Sequence, residues 1–335
     1  MALFDLPLDE LRTYRPDFAE PADFEEFWQA TIDEAAQVDL GVRVEPFDNR
    51  QKLVDAYDVT FAGWGGAPIR AWYIAPTGTS APLSVVVSFA GYAGGRHLPF
   101  ASPFVGAGHA QLIMDTRGQG WSQPSVFERT ADPDPSAGES AWPGLMTRGI
   151  ASPQTYYYRR LYIDCLRAVQ VAKTLPRADP SGVFVQGASQ GGGMAIAAAG
   201  LAAMADVSLA GAMVDVPFLC HFGRAVTLTD AGPYQEISHH LRSHPADEQS
   251  VLQVLNYFDG VHLAKRTDIP AIFSVGLMDQ VCPPSTVFAA YNAWGSSHEE
   301  ASESVIKVYS HAGHEGGAAV QTWEQLAWLE ALSED

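Results

Sequence analysis

Ser189 lies at the centre of the sequence Gly187-Ala-Ser-Gln-Gly191, which matches the pattern G-x-S-x-G. So short a pattern often occurs by chance, and its surroundings decide what it means. The apolar run Val183-Phe-Val185 precedes it, and small residues follow it from Gly191 to Ala195. This order predicts a buried strand, a sharp turn and a helix, which together present a serine nucleophile at the edge of a sheet. The alternative is a serine in a glycine-rich helix cap.

A serine hydroxyl requires a base at neutral pH, and the base requires an acid that fixes its tautomer. His314 follows the predicted strand 305–309, and Asp279 follows the apolar run 271–275. Both residues are therefore expected in loops at the carboxyl ends of strands, at the same edge of the sheet as Ser189. The chain order Ser, Asp, His is the order found in α/β hydrolases. The sequence predicts a catalytic triad of Ser189, Asp279 and His314.

An alternative residue exists for each of His314 and Asp279 in the predicted triad. His311 shares the loop of His314, and Asp215 also ends a predicted strand, where some hydrolases keep their acid. The pair His311 and His314, or the group of His239, His240 and His244, could suggest a metal site, but spacing alone places no third ligand. We predict neither a metal nor a cofactor.

The tetrahedral intermediate of acyl transfer requires two backbone N–H donors that form an oxyanion hole. One should be the amide of Gln190, the residue after the nucleophile. The second should come from the glycine-rich segment Gly91–Gly95, which follows the apolar run 85–89. Tyr92 is the predicted donor and substrate-binding residue. The alternative is an ordinary glycine turn.

The elements around these residues alternate between strands and helices. Five short runs are largely apolar, as parallel strands covered on both faces require. Stretches with helical patterns separate many of them, which predicts an α/β-hydrolase fold with a doubly wound, mostly parallel sheet. The apolar runs are 85–89, 112–114, 183–185, 210–214 and 271–275, and the helical stretches are 156–174, 193–204, 285–294 and 320–332.

The chain reads as a single domain of residues 1–335 with three additions. Residues 1–50 form an amino-terminal extension with an amphipathic helix, and residues 123–153 and 221–259 are insertions expected near the active site. The aromatic side chains of that helix, Phe24, Phe27 and Trp28, could contact another subunit or dock on the hydrolase core. We favour docking.

Composition limits the partners and the location. The chain has 20 Lys and Arg against 39 Asp and Glu, a formal charge of −19, which repels nucleic acid and anionic membrane surfaces. The three cysteines are far apart in sequence and form no Cys-x-x-Cys pattern, which favours a reducing compartment. With no apolar segment of membrane-spanning length, the sequence predicts a cytoplasmic protein.

Five motifs together resemble the acetyl xylan esterases that are also called cephalosporin C deacetylases, a carbohydrate esterase family. The resemblance implies removal of acetyl groups from xylo-oligosaccharides and cephalosporin C, the triad and oxyanion hole given above, and a homohexamer built as a dimer of trimers. It also implies a structural role for Arg117, paired with an acid, and for Gln119. The motifs are Phe89-Ala-Gly-Tyr-Ala-Gly-Gly95, Asp115-Thr-Arg-Gly-Gln-Gly120, Gly187-Ala-Ser-Gln-Gly-Gly-Gly193, Gly276-Leu-Met-Asp-Gln-Val-Cys-Pro-Pro284 and His314-Glu-Gly316.

The segment 96–103 departs from the family pattern, in which a sequence similar to Gly-Asp-Trp would follow the paired glycines Gly94 and Gly95. Leu98, Pro99 and Phe100 are bulky and follow Tyr92 closely. We therefore expect these residues to close the acyl side of the site, so that small acyl groups are preferred.

Overall fold

A nine-stranded sheet runs through the protein in a computed structural model that describes residues 3–133, 144–298 and 303–334. In spatial order the strands are β1-β2-β3-β5-β4-β6-β7-β8-β9. Their ranges are Arg43–Phe47 (β1), Val54–Ala62 (β2), Pro68–Pro76 (β3), Leu83–Phe89 (β4), Ala110–Met114 (β5), Ala178–Ala188 (β6), Gly211–Asp215 (β7), Ala271–Gly276 (β8) and Ser304–Tyr309 (β9).

The sheet changes character along its width. β1, β2, β3 and β5 pair antiparallel, and every pair from β5 through β4 to β9 is parallel. All six residues of β8 are buried, as expected for a strand covered on both faces. The predicted fold class, an α/β hydrolase with a doubly wound and mostly parallel sheet, is confirmed.

Helices cover both faces of the parallel part. One large apolar core includes side chains of α4, α5 and α10, and a smaller core on the other face joins Phe104 of α3 to Leu329 of α11. The helices are Leu8–Leu11 (α1), Phe24–Ala36 (α2), Pro103–Gly106 (α3), Tyr157–Ala172 (α4), Gln190–Met204 (α5), Phe222–Leu228 (α6), Tyr234–Ser243 (α7), Glu248–Asn256 (α8), Gly260–Ala264 (α9), Pro284–Ala293 (α10) and Ala318–Glu334 (α11).

The amino-terminal helix α2 docks on the hydrolase core. Phe24, Phe27 and Trp28 are buried, and the indole N–H of Trp28 donates a hydrogen bond of 2.9 Å to the backbone oxygen of Tyr257. The expectation of docking is therefore confirmed. No helix among the described residues is long and apolar enough to span a membrane.

Two elements differ from the sequence-based prediction. β1 was not predicted because Arg43, Glu45 and Pro46 leave it without an apolar run, and its residues are largely exposed. α5 begins at Gln190 and not at Gly193, so three consecutive glycines belong to its first turn. Residues 221–259 form α6, α7 and α8 between β7 and β8, whereas part of the segment 123–153, residues 134–143, lies outside the described residues.

Candidate active site

Ser189 occupies a strained turn between β6 and α5. Its backbone has φ 58° and ψ −122°, a conformation that L-residues seldom adopt and that the surrounding structure must stabilise. Glycines make the turn possible, since a Cβ on Gly187 would lie 2.3 Å from the carbonyl carbon of Gly191 and a Cβ on Gly191 would lie 2.2 Å from the Phe89 oxygen. The turn therefore has the geometry of a nucleophile elbow, with the serine at the carboxyl end of the sheet.

His314 and Asp279 form a hydrogen-bonded pair. His314 Nδ1 lies 2.8 Å from Asp279 Oδ2, and the carboxylate is completely buried whereas a third of the imidazole is exposed. Asp279 Oδ1 accepts hydrogen bonds from the amides of Val281 (2.8 Å) and Cys282 (3.0 Å). Both oxygens of Asp279 thus accept hydrogen bonds, and the two backbone donors fix the carboxylate that orients the imidazole.

The loops that carry this pair are tied together behind it. The amide of Met278 donates to the oxygen of Ala312 at 3.0 Å, and a Cβ on Gly276 would lie 2.2 Å from the oxygen of Gly313. The close approach of the two loops explains why a glycine ends β8. It also fixes the separation between Asp279 and the histidine loop.

The two alternative residues, Asp215 and His311, do not take part in this hydrogen-bonded pair. Oδ1 of Asp215 is buried, and Oδ2 accepts a hydrogen bond of 2.7 Å from the side chain of Gln325 in α11. His311 is exposed at the start of the loop. The structure therefore pairs His314 with Asp279, and Asp215 with a neutral amide.

Asp215 should make stability depend on pH. Burial raises the pKa of this carboxyl to about 6, and the hydrogen bond from Gln325 opposes that rise only in part. The unfolded chain ionises near its ordinary value of 3.8. The free energy of unfolding should thus be highest when the carboxyl is protonated and should fall as the pH rises from about 4 through about 6.

The variant Asp215→Asn removes this titration. Urea unfolding of both proteins should show the stability of the variant, relative to the unmodified protein, rising by about 2–3 kcal/mol between pH 4 and pH 7. Comparing the two proteins at each pH cancels the contributions of the other carboxyls. A difference that is the same at both pH values would show that folding does not raise the pKa of Asp215.

The predicted oxyanion loop lies beside the nucleophile. A Cβ on Gly91 would lie 4.0 Å from Cβ of Ser189, which places Tyr92 at the mouth of the elbow. Gln119 joins this loop to α5, because its Oε1 accepts from the amide of Ala93 (2.7 Å) and its Nε2 donates to Oε1 of Gln190 (2.9 Å). The segments that carry Tyr92 and Gln190 are therefore held in one rigid unit.

Arg117 belongs to a buried ion network behind that unit. Its guanidinium donates to Oδ1 of Asp164 at 2.8 Å and to Oδ1 of Asp132 at 3.1 Å, and Arg160 donates to the same Asp132 at 2.9 Å. The neighbouring carboxylates raise the pKa of Arg117 although burial opposes this. The acid paired with Arg117 is thus Asp164 of α4, which ties the Arg-Gly-Gln-Gly segment to the core.

A cavity of about 540 Å³ opens above Ser189 and His314. The expectation that Leu98, Pro99 and Phe100 close it is wrong: this segment packs towards β1 and β3, where Asn49 donates to the oxygen of Pro99 at 2.8 Å. Leu98 and Phe100 are largely exposed. Apart from Ser189 and His314, the residues lining the cavity are Gly91, Tyr92, Trp121, Gly232, Pro233, Gln235, Glu236 and Val281.

Sequence reasoning missed two residues of this cavity, Trp121 and Glu236. Trp121 directly follows the Arg-Gly-Gln-Gly segment after β5, so its place at the carboxyl edge of the sheet could have been found from the strand order. Glu236 comes from α7 within the insertion 221–259, and no local pattern relates that helix to the sheet edge.

Metal-binding side chains converge at one place among the described residues. One ligand atom each of Asp279, Cys282 and His314 lies within 4.8 Å of the others. Asp279 already accepts three hydrogen bonds there. Burial raises the pKa of the Cys282 thiol well above its ordinary value, which disfavours the thiolate that a metal would require. The arrangement suits proton transfer better than ion binding.

The strand–elbow–helix serine, the histidine loop after the last strand and the acid loop after β8 define an α/β hydrolase. The family model described as acetyl xylan esterase matches residues 1–332, and the chain belongs to that family. The resemblance inferred from the motifs is thereby confirmed, which places the protein among the carboxylic ester hydrolases.

Two solved structures are similar over nearly the whole chain. The acetyl xylan esterase from Paenibacillus sp. R4 is 35% identical, with 97% of this chain and 99% of that chain covered and a TM-score of 0.85. Acetyl xylan esterase 1 from Thermoanaerobacterium sp. JW/SL YS485 is 32% identical, with 98% and 99% covered and a TM-score of 0.85. Acetyl esterase Axe7A of Xylanibacter ruminicola is 27% identical over 283 residues, and the match covers 83% of this chain and 61% of that longer protein.

Proposed function

We propose that the protein is a serine acetylesterase that hydrolyses acetate esters through an acetyl-Ser189 intermediate. The observation that carries the proposal is the hydrogen bond between His314 Nδ1 and Asp279 Oδ2 in a cavity that also contains Ser189 at a strained elbow. Membership of the acetyl xylan esterase family supports the choice of acetyl as the acyl group.

In the first step, the Oγ of Ser189 attacks the ester carbonyl and its proton passes to Nε2 of His314, because Nδ1 is engaged by Asp279. The carbonyl oxygen becomes an oxyanion and accepts hydrogen bonds from the amides of Tyr92 and Gln190. The ester C–O bond then breaks, and the imidazolium returns the proton to the departing alcohol. The acetyl group remains on Ser189.

In the second step, a water molecule attacks the acetyl carbonyl and gives a proton to His314. The second tetrahedral intermediate uses the same two amides. Acetic acid leaves when the bond to Ser189 Oγ breaks and the imidazolium reprotonates that oxygen. The residues named here hold and move every proton of the cycle, so the proposed mechanism requires no cofactor.

As substrates we propose acetylated xylo-oligosaccharides and small acetates such as cephalosporin C, because relatives of this chain are named acetyl xylan esterases. A more general activity on small esters and a prolyl-oligopeptidase-like peptidase activity are the alternatives. Turnover of acetylated xylobioses, cephalosporin C, p-nitrophenyl acetate and a peptide amide by one preparation separates them. The proposal is wrong if the peptide amide is cleaved faster than every acetate.

Activity should fall steeply with the length of the acyl chain. The rings of Tyr92 and Trp121 meet edge to face with their centroids 6.0 Å apart and line the cavity beside the oxyanion loop. An acyl chain extended into these rings clashes instead of gaining burial. We expect kcat/KM for p-nitrophenyl esters to fall about tenfold or more from acetate to butyrate and further to octanoate. Equal or rising values would indicate an open acyl groove.

The homohexamer implied by the resemblance and the cytoplasmic location stay predictions. All three cysteines, Cys165, Cys220 and Cys282, are free and buried. That state is compatible with a reducing compartment.

A further inference from the structure

Glu236 is placed where it can act on the substrate of the proposed esterase. It lies on α7 of the insertion and lines the cavity that contains Ser189 and His314. Of the described residues that line this cavity, Glu236 is the one carboxylate. Much of the remaining wall is apolar, including Trp121, Pro233 and Val281.

Two uncharged groups donate hydrogen bonds to the carboxylate of Glu236. Tyr92 donates its phenol hydrogen to Oε1 at 2.7 Å, and the amide of Met146 donates to Oε2 at 3.1 Å. The phenol oxygen of Tyr92 in turn accepts from the amide of Leu145 at 3.3 Å, so the phenol is committed as a donor to Glu236. Each carboxylate oxygen therefore accepts one hydrogen bond, and neither donor carries a positive charge that would cancel the charge of Glu236.

Burial raises the pKa of Glu236 above its ordinary value, and the hydrogen bonds from Tyr92 and Met146 oppose that rise only in part. Both bonds favour the ionised form, because a carboxylate accepts them at both oxygens. Since each oxygen of Glu236 accepts a hydrogen bond and neither donates one, the geometry is that of a carboxylate beside a largely apolar wall. A second negative charge brought there with the substrate would be repelled in surroundings that screen it less than water does.

We propose that Glu236 sets the charge selectivity of the site, so that acetate esters of neutral alcohols are hydrolysed in preference to those whose alcohol carries a carboxylate. This inference rests on the proposed acetylesterase function and narrows its substrate class. Acetylated xylo-oligosaccharides without acidic substituents are neutral, whereas cephalosporin C carries carboxylates. The neutral sugar esters are therefore the better substrates, relative to the intrinsic reactivity of each ester.

Glu236 also has a positioning effect, which must be separated from the effect of its charge. Through Tyr92 it anchors the loop that supplies an oxyanion donor, so Glu236→Gln is expected to lower the rate on every ester to a similar extent. The charge of Glu236 disfavours only the anionic ester. The ratio of kcat/KM for an anionic ester to kcat/KM for a matched neutral ester therefore isolates the effect of the charge.

The test uses p-acetoxybenzoate as the anionic ester and p-acetoxybenzamide as the neutral one. Glu236→Gln should raise the anionic-to-neutral ratio about tenfold over the unmodified protein, and the gain should shrink at high salt. Gln235→Glu, which adds a carboxylate to the same wall, should lower the ratio by a similar factor. Glu330→Gln is the control: it removes an exposed charge of α11 that does not line the cavity, and it should leave the ratio unchanged.

The inference is overturned if Glu236→Gln leaves the ratio within twofold of the unmodified protein, or if Glu330→Gln shifts it equally. Should Glu236→Gln fail to fold, an unchanged ratio in Gln235→Glu overturns it. Calorimetry measures the binding of both esters to Ser189→Ala, with and without Glu236→Gln. The ratio of the affinities for the anionic and the neutral ester then reports the effect of the charge without turnover. Absence of turnover in the unmodified protein would count against the esterase proposal, whereas an unchanged binding ratio would count against the role of Glu236.

Discussion

Replacing Ser189 by alanine should lower kcat for p-nitrophenyl acetate by about three or more orders of magnitude. The substitution removes the atom that forms the proposed acyl intermediate, while the proposed oxyanion donors, the amides of Tyr92 and Gln190, would still polarise the carbonyl. The residual rate should therefore exceed the rate in buffer. The measurement is steady-state kinetics on freshly purified variant, with circular dichroism to show that the fold is kept.

Ser122→Ala is the matched control for this variant. Ser122 is exposed, follows Trp121 directly and bonds to Ala93 through its backbone amide, which the substitution keeps. Its activity should stay within about twofold of the unmodified protein. If Ser189→Ala kept more than a tenth of the original turnover, Ser189 would not be the nucleophile.

Asp279→Asn should reduce kcat by about three orders of magnitude, whereas Asp215→Asn should reduce it by less than about tenfold. An asparagine at 279 can present its amide N–H₂ to His314 Nδ1 and so favours the imidazole tautomer that cannot accept the serine proton at Nε2. Asp215 contacts Gln325 and has no such influence on the imidazole. Kinetics of the two purified variants on one acetate ester decide the matter.

The same two substitutions separate catalysis from stability. Asp215→Asn should change the pH dependence of the free energy of unfolding with little effect on turnover, whereas Asp279→Asn should lower turnover at neutral pH. The opposite pattern, in which Asp215→Asn is the more damaging to turnover, would identify Asp215 as the acid partner of His314.

Much of the fold could be predicted from sequence because its parallel strands are short runs of apolar residues. β4, β6, β7 and β8 are buried on both faces, so each produces an uninterrupted run such as Val85-Val-Val87. The loop of Asp279 was predictable for the same reason, since it follows β8, whereas the loop of His314 follows β9, a half-buried strand whose apolar pattern Lys307 interrupts. β1 has no such signal, because an exposed edge strand does not require apolar residues.

The walls of the cavity could not be predicted in the same way. Leu98 and Phe100 are close to Tyr92 in sequence, but Trp72 and Asn49 hydrogen-bond to the segment and draw it towards the antiparallel edge. Glu236 is 144 residues from Tyr92 and meets it only because the insertion folds back over the sheet edge. Contacts of that kind depend on tertiary packing that no local pattern records.

The acetyl-enzyme itself provides the most direct test of the proposed mechanism. The protein is mixed with p-nitrophenyl acetate, quenched in acid during turnover, digested and analysed by mass spectrometry. An acetyl group should appear on Ser189 in the unmodified protein and be absent from that peptide in Ser189→Ala. Acetylation at a different residue, with Ser189 unmodified while p-nitrophenol is still released, would contradict the proposed role of Ser189.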